Sequence, residues 1–323
     1  MERLDQSFES STQASVHASE RAVRHLAPFG PDGPTPQAIT ALQAHPRFAA
    51  AAKIAATGLV DLWRGNRVLN TMVNDRIRLF ISMHAVYLHS LSRPNDPGSG
   101  LTASRMTALC AEQKFCSPGR TKAVLMLMRV FGYLAPAPNE ADRRLRRLVP
   151  TELLMALHRE RYRRLFDAIT MVLPEHAEAA SAQFHPDFTA FYICRYCERF
   201  LAGFRFVDLA PDIRHFMDHN AGFIILCHMM LSGDADDAYP PTRPVPVSLS
   251  ALSRRFGVSR AHVRRLLQNA TDEALLERLD DDRVRLLPRL VRATNDFMAA
   301  HFLIAADCAQ GALADIARER TVA

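Results

Sequence analysis

Apolar side chains along this chain recur mostly at three- and four-residue steps, which is the spacing of one face of an α-helix. The pattern is clear from Val73 to Leu88, and similar patterns cover 102–131 and 151–172. A proline precedes the last of these regions and another follows it, as expected at the ends of a helix. The spacing therefore predicts a mostly α-helical protein.

Two loops rich in proline and glycine divide the chain into similar halves. RPNDPGSG ends at Gly100 and YPPTRPVPV ends at Val247. Each loop follows an apolar helix and precedes a short helix, a turn, a serine-led helix, a candidate β-hairpin and a long helix. Ser117 aligns with Ser259, 142 positions later. The shared order predicts an internal repeat, although the two halves have few identical residues.

The second half carries the pattern of a helix-turn-helix. Leu249, Leu252 and Phe256 form an apolar stripe on a short helix. Gly257 can take the left-handed conformation that ends it, and Ser259 can cap the next helix. The following LLERLDDDRVRLLP alternates as a hairpin with an acidic turn. A hairpin directly after a helix-turn-helix predicts a winged helix.

The helix after Ser259 is expected to have one buried and one basic face. Projection at about 100° per residue places the following apolar residues on one side: Val263, Leu266, Leu267 and Ala270. Polar residues lie opposite or beside them: Arg260, His262, Arg264, Arg265 and Gln268. Arginine can bind guanine through two hydrogen bonds, and glutamine can bind adenine likewise. We therefore expect Arg264, Arg265 and Gln268 to contact bases, and Ser259, Arg260 and His262 to contact the DNA backbone. The alternative is a solvated arginine-rich surface helix.

The first half resembles the MarR family of winged-helix regulators. The similarity is carried by FCSPGRTKAVLMLMRVFGYLAP, which begins at Phe115, and by APAPNEADRRLRRLVPTELL, which begins at Ala135. It covers 73–172 and, more weakly, 212–307. The resemblance implies that Asp142 orients a neighbouring arginine and that Arg143 and Arg144 reach phosphate or the minor groove. It also implies a recognition helix capped by Ser117. By projection of that helix, only Arg120, Lys122 and Arg129 could contact phosphate or base.

Each half departs from that pattern in one respect. The outward crest of the first serine-led helix is mostly apolar: Gly119, Lys122, Ala123, Met126 and Val130. A helix that is apolar all round is usually buried, so packing against protein is an alternative to DNA contact. The tip of the second hairpin is acidic, with Asp280, Asp281 and Asp282, and carboxylates repel phosphates. The two units are therefore expected to have different roles.

The composition permits a polyanionic partner without requiring one. The 323 residues carry a formal net charge of +6, and 48% of them are hydrophobic. This content supports one large domain or several ordinary ones. The N-terminus lacks a signal-peptide core, no apolar run is expected to reach transmembrane length, and the six cysteines follow no disulfide framework. These features predict a cytoplasmic protein with reduced thiols.

Catalytic and metal-binding motifs are not recognisable. The histidines lack a spacing such as HExxH, and the chain has no glycine-rich phosphate loop or nucleophile elbow. Cys194 and Cys197 form a CxxC inside an aromatic helical stretch, where core thiols are expected and a zinc or redox-sensing site is the alternative. We therefore expect no enzyme activity, no cofactor and no metal.

Two further stretches have open interpretations. Residues 184–206 are rich in aromatic side chains, which fit a helical core or a dimer seam, or alternatively a pocket for a small apolar effector. Arginines recur over 143–147 and 159–164, and they either add phosphate contacts or form a solvated face.

The predicted fold is mostly α with small β-hairpin wings, as two winged helix-turn-helix domains joined by helices. The expected boundaries are a loosely structured segment (1–45), a first winged-helix domain (46–172), an aromatic connector (173–211) and a second winged-helix domain (212–323). The predicted function is transcriptional regulation through double-stranded DNA, with a possible homodimer and no membrane partner. A plasmid-type replication initiator and a protein-interaction scaffold that does not bind DNA remain alternatives.

Overall fold

The computed structural model describes residues 29, 33–62, 76–93, 96, 99–137, 147–279 and 282–322. The helices are α1 (Pro36–Gln43), α2 (Phe48–Asp61), α3 (Arg76–Ser90), α4 (Ala103–Glu112), α5 (Pro118–Val130), α6 (Glu152–Val172), α7 (Ala177–Ser181), α8 (Phe188–Leu201), α9 (Phe206–Leu209), α10 (Arg214–Met217), α11 (Gly222–Met230), α12 (Leu249–Phe256), α13 (Arg260–Asp272) and α14 (Pro288–Val322). The strands are β1 (Leu101–Thr102), β2 (Leu134–Pro136), β3 (Arg147–Pro150), β4 (Val245–Pro246), β5 (Leu276–Arg278) and β6 (Arg283–Leu286). Short 3-10 turns lie at Pro174–His176, Ala182–Phe184 and Pro211–Ile213. The protein is thus mostly helical with two small antiparallel sheets, as the sequence predicts.

Helix α1 corrects the expectation of a loosely structured segment up to residue 45. The Thr35 hydroxyl accepts a hydrogen bond from the backbone N–H of Ala38, and Pro36 occupies the first turn. Proline is tolerated there because the first N–H groups of a helix have no partner inside the helix. The proline cluster that indicated a loop therefore also starts a helix, whose Ile39 and Leu42 are buried.

The two units, from β1 to β3 and from β4 to β6, have the same order of elements. Each runs strand, helix, helix, strand, strand, and each leads into a long helix. The third strand is central in both sheets, with the orders β1-β3-β2 and β4-β6-β5. Leu101 pairs with Leu148 in the first sheet, and Val245 pairs with Val284 in the second. The repeat is therefore present in topology as well as in sequence order.

The turn between the paired helices has the same left-handed backbone in both units but uses different residues. Gly257 has φ 66° and Lys114 has φ 53°. Afterwards the N–H of Phe115 donates to the carbonyl of Cys110, and the N–H of Val258 donates to the carbonyl of Ser253. Lys114 has a Cβ, which makes this conformation less favourable by about 1 kcal/mol than for glycine. A glycine therefore indicates the left-handed turn residue in the second unit, whereas no glycine indicates it in the first unit.

The aromatic stretch mainly forms core. Helix α8 lies between α3 and α14. Phe188 and Tyr192 are buried, and their rings lie 5.5 and 5.3 Å from the ring of Phe166 on α6. Cys197 is also buried. Phe184 differs, with 81% of its side chain exposed. Helical core is therefore the interpretation that fits most of this stretch.

Helix α14 is the long helix that the sequence predicts after the second hairpin. Its span Pro288–Thr321 is long enough to cross a membrane, and its most apolar window has a mean hydropathy of 1.3. This corrects the expectation that no run reaches transmembrane length. Of that window, 67% is buried inside the protein, where α14 contacts α1 and α8. Core contacts on several sides account for its apolar composition.

Candidate nucleic-acid interface

Helix α13 has the buried and exposed faces that the sequence predicts. Its apolar side is fully buried: Val263, Leu266, Leu267 and Ala270. Its opposite side is exposed: Arg260, Ala261, Arg264, Arg265 and Gln268. The Ser259 hydroxyl accepts a hydrogen bond from the backbone N–H of His262, at 3.1 Å. The predicted cap is confirmed, and it fixes the start of the helix at the surface.

The exposed arginines of α13 are free to meet an anion. Within the described part of the chain, Arg260, Arg264 and Arg265 have neither an ion-pair partner nor a side-chain hydrogen bond. Arg289, by contrast, forms a bidentate pair with Asp212. A phosphate or base reaching the three free guanidinium groups would not have to displace a carboxylate. The arrangement gives α13 an uncompensated positive surface.

Arg254 adds to this surface and was not singled out in the sequence. It lies in the last turn of α12, is exposed, and has no partner among the described residues. Its position just before the turn at Gly257 is the sequence feature that could have identified it. Because it lies on the neighbouring helix, phosphate contact fits it better than base contact.

Two of the predicted contact residues are engaged within the protein. The amide of Gln268 donates to a carboxylate oxygen of Asp272 at 2.9 Å. Both side chains are exposed, so this bond can exchange for a base at small cost. The Nε2 atom of His262 lies 2.8 Å from the carbonyl oxygen of Asn220, to which it can only donate. His262 therefore connects the start of α13 to the loop before α11, whereas the sequence predicted that it contacts the DNA backbone.

His215 holds α13 from beneath, and the sequence did not indicate it. Its Nε2 lies 3.0 Å from the carbonyl oxygen of Leu266, and its Nδ1 lies 2.9 Å from a carboxylate oxygen of Glu273. The ring therefore has a hydrogen-bond acceptor at each of its two nitrogens. The side chain is nearly buried. Together His215 and His262 connect 215–220 to both halves of α13.

Helix α5 of the first unit presents a different surface. The Ser117 hydroxyl accepts from the N–H of Arg120, as predicted, and Arg120 and Lys122 are exposed. Beyond the first turn the crest is apolar: Met126 is 67% exposed and Val130 is 70% exposed. Packing against protein was the alternative to DNA contact for this helix. Within the described residues, no other part of the chain covers Met126 and Val130.

Part of the predicted contact surface lies outside the described residues. This holds for Asp142, Arg143 and Arg144 in the first hairpin. Asp280 and Asp281 of the second hairpin lie outside as well. Beside them, Arg283 donates to the carbonyl of Pro244, which turns its guanidinium towards the protein.

A cavity of about 450 Å³ borders the segment that carries His215. Its walls come from α2, α3, α6, α8, α14 and the segments 113–115 and 205–224. Tyr196, Phe200 and Phe206 from the aromatic stretch line it. The stretch thus borders a cavity in addition to forming core. Among the described residues, no group of three or more metal-binding side chains comes together.

Comparison with known proteins found no match to any family model, any curated protein or any solved structure. The function is therefore inferred from the surfaces and contacts of this chain.

Removing the α13 cap is expected to weaken folding measurably. In Ser259→Ala the N–H of His262 loses its acceptor, so the free energy of unfolding should fall by about 1 kcal/mol. Ser259→Asp should keep stability close to wild type, because a carboxylate also caps a helix. Chemical denaturation of the three proteins measures the effect. Equal stability of wild type and Ser259→Ala would show that the cap does not matter.

Proposed function

We propose that this protein binds double-stranded DNA and regulates transcription, with its second unit acting as a winged helix-turn-helix. The observation that carries the proposal is the exposed face of α13, where Arg260, Arg264 and Arg265 have no partner within the described residues. An unpaired basic face on a capped helix that follows a helix and a tight turn suits insertion into the major groove. The resemblance of the first unit to MarR regulators supports the same function.

The proposed DNA contacts differ between the start and the middle of α13. Arg264, Arg265 and Gln268 lie in the middle of the exposed face and are proposed to contact bases. Ser259 and Arg260 lie at the start of the helix, where backbone N–H groups and a positive dipole favour phosphate. Arg254 adds a phosphate contact from α12. His262 is proposed to position α13, because its ring faces Asn220.

The tandem arrangement favours an asymmetric DNA site. MarR-type regulators combine identical units in a dimer, and such symmetry matches a palindrome. Here the two units share their topology but present different surfaces, arginine-rich on α13 and apolar on α5. A site read by one chain would then have two unlike halves.

A second candidate function applies to the first unit alone. Met126 and Val130 are exposed on α5, and Leu153, 52% exposed, lies beside the Gly132 turn that follows α5. Exposed apolar side chains of this kind are typical of protein contacts. The first unit is therefore a candidate for binding another protein while the second unit binds DNA.

Recovery of bound fragments from a genomic duplex library, at fixed physiological salt, tests the proposal. Salt is fixed because phosphate contacts alone give salt-sensitive, non-specific binding. We expect enrichment of one non-palindromic motif. Iterated copies of the motif beside an origin would instead favour the replication initiator. Absence of any enriched sequence would contradict the proposal and leave the protein-interaction scaffold.

A further inference from the structure

The cavity has apolar walls and a basic lining. Apolar atoms make up most of its surface, and the apolar lining includes Leu59, Leu79, Met83 and Phe297. Its volume of about 450 Å³ falls within the range of roughly 300–1,000 Å³ that is usual for small-molecule sites. An apolar cavity of this size suits an organic molecule with several rings or a branched chain.

The charges around the cavity are strongly unbalanced. The lining cations are Arg76, Lys114, Arg161, Arg205 and Arg214, and Asp208 is the one lining acid among the described residues. Arg76 pairs with Asp218 and Arg214 pairs with Asp208. Arg161 is different: it lines the cavity, is half-buried, and has no ion-pair or hydrogen-bond partner within the described chain. A cation in this position lacks a counter-charge.

Arg205 also lacks a carboxylate in direct contact. Its guanidinium donates to the carbonyls of Phe200 and Phe204 and to the side-chain oxygen of Gln113. It lies over the Phe200 ring, 4.7 Å from the centroid. These neutral partners leave its positive charge uncompensated beside the cavity.

Two nearly buried polar atoms in the lining have no partner among the described residues. They are Nε2 of His84 and the hydroxyl of Tyr162. Nδ1 of His84 lies 2.9 Å from the carbonyl oxygen of Phe80, so it carries the ring proton and leaves Nε2 as an acceptor. Burial lowers the pKa of His84 to about 4, and burial raises the pKa of Tyr162 to about 12. At neutral pH these two atoms are one acceptor and one donor, and unpaired buried polar atoms are costly.

We propose that this cavity binds a bulky amphipathic organic acid, with its anionic group at Arg161 and its apolar body between the aromatic and aliphatic walls. The proposal rests on the proposed function in one respect, because the bound acid would act as the effector of DNA binding. The segment 214–224 supplies that link. Arg214, Met217 and His219 line the cavity, and His215 in the same segment holds α13.

A matched pair of fluorescent probes tests the site in the full chain without DNA. The probes are 8-anilinonaphthalene-1-sulfonate and N-phenyl-1-naphthylamine, which share their rings and differ in the sulfonate. We expect the wild-type protein to bind the sulfonate more tightly than the neutral amine. Arg161→Met should weaken the sulfonate about tenfold or more, because a charge-assisted hydrogen bond is lost, and should change the affinity for the amine less than about twofold.

Two further variants separate charge from folding. Arg161→Lys retains a cation and should bind the sulfonate within a few-fold of wild type. Arg163→Met removes the same charge from an exposed site paired with Glu160, outside the cavity lining, and should leave both affinities unchanged. Binding of neither probe would overturn the proposal, and so would sulfonate binding that Arg161→Met does not weaken. Failure to bind DNA would overturn the proposed function and leave this result intact.

Discussion

Replacing Arg264 and Arg265 together with alanine is expected to weaken binding to the specific DNA site by roughly 30-fold to 20,000-fold. Each lost base contact should reduce the binding free energy by about 1–3 kcal/mol, and two contacts are removed. Both side chains are exposed and have no partner within the described residues, so their removal leaves no buried group unsatisfied. The variant should therefore fold normally while losing affinity.

Fluorescence anisotropy with the enriched duplex and with a scrambled duplex measures this effect. The matched control is Arg318→Ala with Arg320→Ala near the end of α14, which removes the same net charge from an exposed position. We expect the control to keep most of its specific affinity. An equal loss in both double variants would mean that overall charge, and not base contact by α13, determines binding. Unchanged affinity in the α13 variant would exclude Arg264 and Arg265 as base contacts.

Lowering the pH from 7 to 5 is expected to destabilise the protein by several kcal/mol. Burial lowers the pKa of His84 to about 4 and the pKa values of His158 and His301 to about 3, from an ordinary value of 6.5. Below pH 6.5 the unfolded chain takes up protons that the folded chain does not. Stability is therefore present above that pH and falls as the pH drops towards 3–4, by about 2 kcal/mol for each histidine at pH 5.

Denaturant titrations of the wild type at pH 7 and pH 5 measure this loss directly. His158 is 1% exposed and stacks on Tyr162 with 6.0 Å between ring centroids. His158→Phe keeps an aromatic ring there and removes the titrating group. The difference in unfolding free energy between the two pH values should then shrink by about 2 kcal/mol. Wild-type stability that is equal at both pH values would contradict the expectation, and so would an unchanged difference in the variant.

The sequence by itself determined the features that depend on neighbours in the chain. The caps at Ser117 and Ser259 and the two faces of α13 follow from spacing and side-chain chemistry within a few residues. The repeat was also visible, because each unit carries its own turns and apolar periods. Such local signals hold because a helix start or an apolar stripe depends mainly on nearby residues.

Features that depend on distant contacts were decided by the tertiary structure. Lys114 takes a left-handed conformation although glycine is the usual signal. His215 and His262 gain partners on segments 42 to 58 residues away, which no periodicity indicates. The same holds for the cavity, where Arg161 from α6 and His84 from α3 meet across packed helices. These neighbours depend on tertiary packing. Burial determines which side chains face inward, and the path of the chain determines which of those side chains come into contact.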